Sequence, residues 1–390
     1  MQLLKETNID FLGRRKYFLG LSLLLIVLGG ASLLLKGGPK FGIDFKGGTL
    51  VYVKFKEAPR VEEIRAALSA KGLNVATLQP FEEGPDSHEL KIDLDLTEEE
   101  VLTSGQDKIV ATLRELYGGD ESKMDFNNVG LETLADRVIS NPKMAESALA
   151  TDEITEGVRA LLAFRDEAPQ SGLVADFSQL TSVEGVNPDI IAALQEEAYP
   201  GAFAIRGGGY VGPKIGKELQ WQAIKATLFA LGGMLVYIAF RFEWIYGVAA
   251  VAAVFHDVLI TVGFFSIFDR EIELTVIAAF LTLVGYSMND TIVIFDRVRE
   301  NRKLTRRQPL ESLLNLSVNQ TLSRTILTSG LTLLAVLCLF LFGGEVLRSF
   351  SFALVIGVMI GTYSSVFIAS PILLWWQGTV AASGGRARRK

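Results

Sequence analysis

The residues best suited to chemistry in this sequence lie inside its most apolar stretches. Val284-Gly-Tyr-Ser-Met-Asn-Asp-Thr-Ile-Val-Ile-Phe-Asp-Arg297 sets Asn289 and Asp290 just ahead of another apolar run, Ile292–Phe295. On one continuous helix Asp290, Ile294 and Arg297 share a face. Asp290 then stands about 10 Å from Arg297, too far for a direct pair. A second stretch offers better partners. Arg324 opens an apolar run, and Thr321, Thr325, Thr328 and Thr332 recur at spacings of 4, 3 and 4, which makes one polar stripe on a helix. Polar stripes in membrane helices face other helices or water, not lipid. The expected arrangement packs the threonine stripe against Asn289 and Asp290, with Arg324 near the carboxylate. His256-Asp257, in another apolar run, would add a further polar element.

Two kinds of chemistry fit such a constellation. One is helix glue: a buried Asp pairs with an Arg, and threonines hydrogen-bond across the interface. The other is a proton or cation relay. A carboxylate that is desolvated in one conformation and paired in another has a movable pKa. That is the physical requirement for coupling ion flow to a change of shape.

The elements that must position these residues follow from length. A helix needs about 20 apolar residues to cross the hydrocarbon core, and a charge at its centre costs about 2.5–3.5 kcal/mol. Six runs qualify: Tyr17–Leu35, Leu219–Phe240, Trp244–Phe268, Leu274–Phe295, Thr325–Phe342 and Phe350–Trp376. Backbone groups in lipid must be satisfied internally, so these runs read as helices. Arg14, Arg15 and Lys16 precede the first span; Arg297, Arg299, Arg302, Lys303, Arg306 and Arg307 follow the fourth; Arg386, Arg388, Arg389 and Lys390 close the chain. With six spans these segments share one side, which the distribution of Lys and Arg makes the cytoplasm. The long segment Pro39–Lys217 is then outside. A cleaved signal peptide is the alternative for the first run, but its length and the lack of a small-x-small site favour an uncleaved anchor. Trp375 and Trp376 suit the interface at the end of the last span.

Bulk composition agrees with this segregation. Hydrophobic residues make up 49% of the chain beside 21% charged, so the two classes must occupy different places. Mean hydropathy is +0.32. The single Cys338 excludes a disulfide framework, and with only His88 and His256 a metal site is not expected. The net charge of -6 argues against nucleic-acid binding. Gly207-Gly-Gly-Tyr-Val-Gly212 matches the dinucleotide fingerprint in letters only, because Pro213 and a membrane span follow it. Gly47-Gly48-Thr49 lacks the P-loop lysine. Gly357-Val-Met-Ile-Gly361 reads as a close helix contact. No cofactor is expected.

In the outer segment Leu50–Phe55, Val75–Phe81 and His88–Leu94 read as strands, and Val61–Lys71 and Glu98–Leu116 as amphipathic helices. The order β-α-β-β-α suggests a ferredoxin-like module lacking one strand, which Phe203–Ile205 could supply. Gly118–Pro200 is acidic, with helical patches at Ile154–Phe164 and Pro188–Ala198. It reads as an inserted helical subdomain; a partly disordered acidic loop is the alternative. The expected fold is therefore membrane α-helical, with six transmembrane helices and an α+β ferredoxin-like periplasmic domain between helices 1 and 2 that carries a helical insert. The expected division is 1–38, 39–218 with the insert at about 118–200, 219–376, and a basic cytoplasmic tail at 377–390.

Five motifs together resemble a known family. They are Phe41-Gly-Ile-Asp-Phe-Lys-Gly-Gly-Thr49, Val211-Gly-Pro-Lys-Ile-Gly-Lys-Glu-Leu219, His256-Asp257, Gly285-Tyr-Ser-Met-Asn-Asp-Thr291 with Phe295-Asp-Arg-Val-Arg-Glu-Asn301, and Gln320-Thr-Leu-Ser-Arg-Thr-Ile-Leu-Thr-Ser-Gly330. In letters, order and membrane placement they resemble the SecF family of the bacterial Sec export machinery, within the resistance-nodulation-division superfamily. The resemblance implies an accessory subunit that makes and breaks no bond and promotes polypeptide export across the inner membrane with the proton motive force. It implies SecD as partner, the SecYEG channel as docking target, YajC and YidC as further neighbours, and contacts with unfolded exported polypeptide and membrane lipids. It implies proton passage at Asp290 and Arg324. Asn289, Thr328, His256 and Asp257 are assigned to the same pathway on the residues' own chemistry. Gly42, Asp44, Phe45, Gly47, Gly48, Gly212, Pro213 and Gly216 are implied as structural motif positions. The outer segment is longer than is usual in the family. The alternative is a small-molecule or lipid exporter half-unit of the same superfamily, and a purely structural scaffold is the third reading.

Overall fold

The computed structural model describes residues 7–81, 88–95, 105–120, 122–147, 149–241, 244–305 and 308–376. Arg306, Arg307, the tail 377–390 and the first turns of the helix expected from Glu98 lie outside the described residues. The chain divides into two compact units, residues 1–45 with 218–390 and residues 46–217.

In chain order the helices are α1 (Arg15–Leu35), α2 (Ile43–Lys46), α3 (Val61–Ala70), α4 (Gly105–Tyr117), α5 (Leu131–Ile139), α6 (Pro142–Glu146), α7 (Thr151–Asp166), α8 (Pro188–Glu197), α9 (Pro213–Arg241), α10 (Trp244–Ile267), α11 (Leu274–Leu304), α12 (Leu310–Phe342) and α13 (Gly344–Ser364). A π-helical turn, Ser365–Ala369, prolongs α13, and regular helix resumes to Trp376. The strands are β1 (Gly48–Phe55), β2 (Val75–Phe81), β3 (Glu89–Leu94), β4 (Met124–Asp125), β5 (Ala198–Tyr199) and β6 (Phe203–Val211).

Six helices are long and apolar enough to cross a membrane: Leu12–Leu35, Pro213–Ile238, Trp244–Ile267, Leu274–Leu304, Leu310–Phe342 and Leu347–Trp376. This is a multi-pass membrane protein. Five of the six helices run past the expected spans, because hydropathy marks the apolar run whereas backbone hydrogen bonding carries the helix on into amphipathic sequence. The largest correction concerns Arg324. It does not open its helix: α12 begins at Leu310, and Leu313, Leu314, Ser317, Val318 and Thr321 are buried ahead of it.

The six helices are unequal. About half of the apolar window is buried in α10, α11 and α13 (56%, 50% and 61%), against 11%, 6% and 17% in α1, α9 and α12. The first three therefore form the interior of this unit. Its core joins Tyr246, Ala250, Val254, Val284, Met288, Phe295 and Val318. Small residues set the closest crossings. A Cβ on Gly357 would strike Leu283, and one on Gly361 would press on Ser287. The GxxxG face of α13 thus lets it approach α11 nearly backbone to backbone.

The other unit holds a four-stranded sheet in the order β2-β3-β1-β6. All three pairings are antiparallel. Alternation along β1 turns Val51, Val53 and Phe55 to one face, where they pack with Ile64 and Leu68 of α3 and Ile109 and Leu113 of α4. Residues between α4 and β6 build a second core around Phe126, Leu134, Val138, Val158, Leu161 and Leu194. Two of its helices start on Asn-Pro pairs. Asn141 and Asn187 each accept a backbone N–H of the first turn, and the proline that follows needs no acceptor there. The triple glycine 207–209 lies within β6, paired to β1, not in a strand-to-helix turn.

Candidate functional site

Two buried carboxylates of the helical unit stand in adjoining polar sites along α11. At the first, Asp257 of α10 is fully buried. Its Oδ2 accepts the Ser287 hydroxyl of α11 at 2.6 Å and the Ser364 hydroxyl of α13 at 2.8 Å, and its Oδ1 lies 2.9 Å from His256 Nδ1. Three helices thus meet on one carboxylate. The Gly357–Gly361 crossing makes this possible, because Ser364 lies one further turn along the same face of α13. His256 Nε2 is buried without a hydrogen-bond partner among the described residues.

At the second site Asp290 is 3% exposed and accepts the Ser329 hydroxyl of α12 at 2.9 Å. Ser287 and Asp290 are three residues apart on α11. The two carboxylates are therefore joined through about one helical turn, roughly 4.5 Å along the axis.

Several expected neighbours of Asp290 make no hydrogen bond to it. Arg324 and Asn289 are exposed in this chain. The Arg324 guanidinium makes no hydrogen bond and no ion pair among the described residues, although its charge acts on Asp290. Thr321, Thr328 and Thr332 turn their hydroxyls onto carbonyls of their own helix, one turn back. Only Thr321 and Thr325 of the stripe are buried. Ser329 takes the place expected for the threonines. His256 and Asp257 join Ser287 and Ser364, not the Asp290 carboxylate. The serines 287, 329 and 364 were not singled out in the sequence. A serine one turn from an intramembrane Asp, and another one turn past a GxxxG pair, are the signals that would have found them.

The expected motif positions sit in both units. Phe41 bridges to Ile272, the Gly42 N–H donates to the Ile272 carbonyl at 3.0 Å, and Asp44 Oδ2 accepts the Leu274 N–H at 2.8 Å. That carboxylate caps α11, whose own N-cap residue, Glu273, makes no side-chain cap bond. Phe45 packs with Phe265, Ile272 and Val276. In the other unit Gly47 has φ +80°, and a Cβ there would strike Pro213. Gly48 pairs with Val211. Pro213 starts α9, and the Gly216 N–H donates to the Gly212 carbonyl at 2.9 Å.

Among the perturbed carboxylates outside the membrane-spanning helices are Asp269 and Asp125. Partial burial alone would raise Asp269, but Lys36 and Lys40 outweigh it and hold the carboxyl below its ordinary range. Burial raises Asp125 above that range, against the hydrogen bond from Asn128 and the charge of Arg114. Asp125 borders a groove of about 850 Å³ lined also by Arg114, Asn128, Thr133 and Tyr199. Among the described residues no group of three or more His, Cys, Asp or Glu could hold a metal.

Residues 191–379 match the family described as protein export membrane protein SecD/SecF, C-terminal, and residues 32–59 match the SecD/SecF GG motif. The protein translocase subunit SecF of Koribacter versatilis is 46% identical, over all of this chain and 98% of that protein. The SecF of Gemmatimonas aurantiaca is 34% identical over 97% of this chain and 90% of its own length. The crystal structure of SecDF, a translocon-associated membrane protein from Thermus thermophilus, superposes with a TM-score of 0.65 at 30% identity. It covers 96% of this chain, which spans 39% of that longer one. This chain belongs to the SecF family of SecD/SecF protein-export membrane proteins.

Proposed function

We propose that this chain is an accessory subunit of the Sec translocase in the bacterial inner membrane, with both termini cytoplasmic. Together with SecD it uses the proton motive force to promote export of unfolded polypeptide through SecYEG, with YajC and YidC as neighbours. The outer unit is read as a ferredoxin-like module with a helical insert at about 118–200. The division into 1–38, 39–218, 219–376 and 377–390 belongs to the same reading. Asp290 carries the ion, with Arg324, Asn289, Thr328, His256 and Asp257 along its path. Gly42, Asp44, Phe45, Gly47, Gly48, Gly212, Pro213 and Gly216 hold the fold.

One observation carries this reading. Asp290 is buried against a single hydroxyl, while Asn289, Arg324 and Thr328, on the same two helices, are exposed. Polar groups at membrane depth do not face lipid. That face is therefore expected to meet a second helical core, which supports partnership with SecD. It also supports a carboxyl group whose partner changes. Beside Ser329 it is held by a rotatable hydroxyl; beside Arg324 it would form an ion pair. Proton affinity differs between two such settings, so exchanging them under a gradient moves protons and helices together.

The test is Asp290→Asn, assayed for gradient-stimulated export in inverted membrane vesicles. We expect export to fall to its level without a gradient, while SecD still co-purifies. Undiminished stimulation would overturn the reading.

A further inference from the structure

The last membrane helix is interrupted beside the other carboxylate, and the interruption has a cause in the sequence. Pro371 has no N–H, and its ring crowds the carbonyl four residues back, at Phe367. The helix widens into a π-turn over Ser365–Ala369. Serine hydroxyls capture carbonyls around it: Ser370 Oγ donates to the Ser365 carbonyl at 3.2 Å, and Ser365 Oγ to the Thr362 carbonyl at 2.9 Å. Widened turns of this kind occur often at functional sites.

The residues at the start of this turn reach in two directions. Ser364 donates to Asp257. Tyr363 donates to the Phe18 carbonyl of α1 and lies 2.8 Å from Ser22 Oγ. Phe367, within the turn, stacks on Phe18 with ring centres 3.7 Å apart. The carboxylate on α10 and the first helix are therefore tied to the same few residues of the sixth.

We propose that the Ser365–Ala369 turn is a hinge in the sixth span and that Asp257 is its latch, releasing Ser364 when it takes up a proton. An ionised carboxylate only accepts hydrogen bonds, and here it accepts from Ser287, Ser364 and the His256 side. A protonated one must donate through one oxygen, so one of those contacts reverses or breaks. Ser364 is the contact beside a deformable backbone. Once free, the turn relaxes towards regular helix and rotates the segment beyond it, which Phe367 and Tyr363 pass to α1. The other titratable side chains at this level are His256 on α10, Tyr286 and Asp290 on α11, and Tyr363 on α13; α1 contributes Ser22 and a carbonyl. This inference deepens the ion-coupled reading and rests on it.

The test measures the distance between spin labels at Tyr17 and Trp375, which are 82% and 68% exposed. It uses a Cys338→Ala background of the full chain, held in lipid nanodiscs with the subunits that co-purify. A one-residue change of helical register turns side chains by about 100° and moves a label on the order of 5–8 Å. We expect such a shift between about pH 8 and about pH 3, a range that spans ordinary carboxylate and imidazole titration. Asp257→Asn should give one distribution at both values. Ser364→Ala, which keeps the charge, and Pro371→Ala, which removes the cause of the turn, should each do the same, so the outcome does not hang on one variant folding. Asp290→Asn should retain the shift, because its defect is read in export. No shift in the unsubstituted chain, or a shift that persists in Asp257→Asn with His256 intact, would overturn the latch. So would a shift that persists in both Ser364→Ala and Pro371→Ala.

Discussion

Each unit of this chain buries carboxylates, and each satisfies them differently. In the helical unit Asp290 meets the Ser329 hydroxyl, and Asp257 meets the Ser287 and Ser364 hydroxyls beside His256 Nδ1. In the sheet unit Asp125 accepts the Asn127 backbone N–H at 3.1 Å and the Asn128 side-chain amide at 2.8 Å, with Arg114 3.8 Å away. A hydroxyl can donate or accept as it rotates, whereas an N–H can only donate. A carboxyl group among serines can therefore change protonation while the contacts around it rearrange. One among N–H groups is held to a single role. The first arrangement suits a moving part, and the second suits a joint.

The sharpest way to break this comparison is to neutralise one carboxyl of each kind. Asp290→Asn is expected to abolish gradient-stimulated export altogether. Asp125→Asn is expected to leave it unchanged, measured in the same vesicles. Equal losses from both would mean that the type of donor is irrelevant to function.

Next in size is the joint itself. Asn127 is 4% exposed. Its side-chain amide donates to the Val174 carbonyl at 3.2 Å and the Gly201 carbonyl at 2.9 Å, and its carbonyl accepts the Val174 N–H at 2.9 Å. Asn127→Ala would leave buried backbone groups unpaired, each costing about 1–3 kcal/mol. A loss of about 2–4 kcal/mol is expected, given some relaxation. Hydrogen exchange over Val174 and residues 201–205 in the full chain would report it. Protection unchanged there would show that the asparagine knot carries no load.

How far the sequence reveals such parts depends on what the solvent makes conspicuous. Apolar runs mark the six spans because lipid demands length. Asp257 and Asp290 stand out because charge in those runs is costly. Asn141-Pro142 and Asn187-Pro188 announce helix starts by a cap and a compatible ring. The serines are different. Serine is inexpensive in a membrane helix, so Ser329 leaves no trace until α12 is set beside α11. Arg324 misleads for a related reason: hydropathy changes there, but the α12 backbone does not. The Asp125-Phe-Asn-Asn128 knot joins residues more than 70 positions apart, such as Asn128 to Phe203 and Ile205. No local pattern predicts such partners.

A smaller effect sharpens the comparison through pH. Burial raises the pKa of Asp125 in the fold above its ordinary value of 3.8. The folded state then binds the proton more readily than the unfolded chain does. The stability linked to this group is present below the ordinary carboxylate range and is lost as pH rises through the raised value. Protection of the sheet unit, measured against Asp125→Asn, is expected to be greatest in acid and to decline across that window. A flat difference would mean that its donors fully offset the burial.

The smallest effect asks whether the unit or the donor decides. Asp44 belongs to the helical unit, yet its partner is a backbone N–H, that of Leu274 at the start of α11. By donor type it is a joint. Asp44→Ala removes a helix cap and is expected to cost about 0.5–2 kcal/mol, seen as faster hydrogen exchange over Leu274–Ile277. Asp44→Asn keeps an acceptor oxygen in place and is expected to restore most of that protection without restoring charge. Gradient-stimulated export should survive in the Asn variant, because a cap needs an acceptor and not a proton carrier. If neutral Asp44→Asn instead failed in export while holding α11 firmly, the acid beside that N–H would have a second role, and the division by donor type would fail at its simplest case.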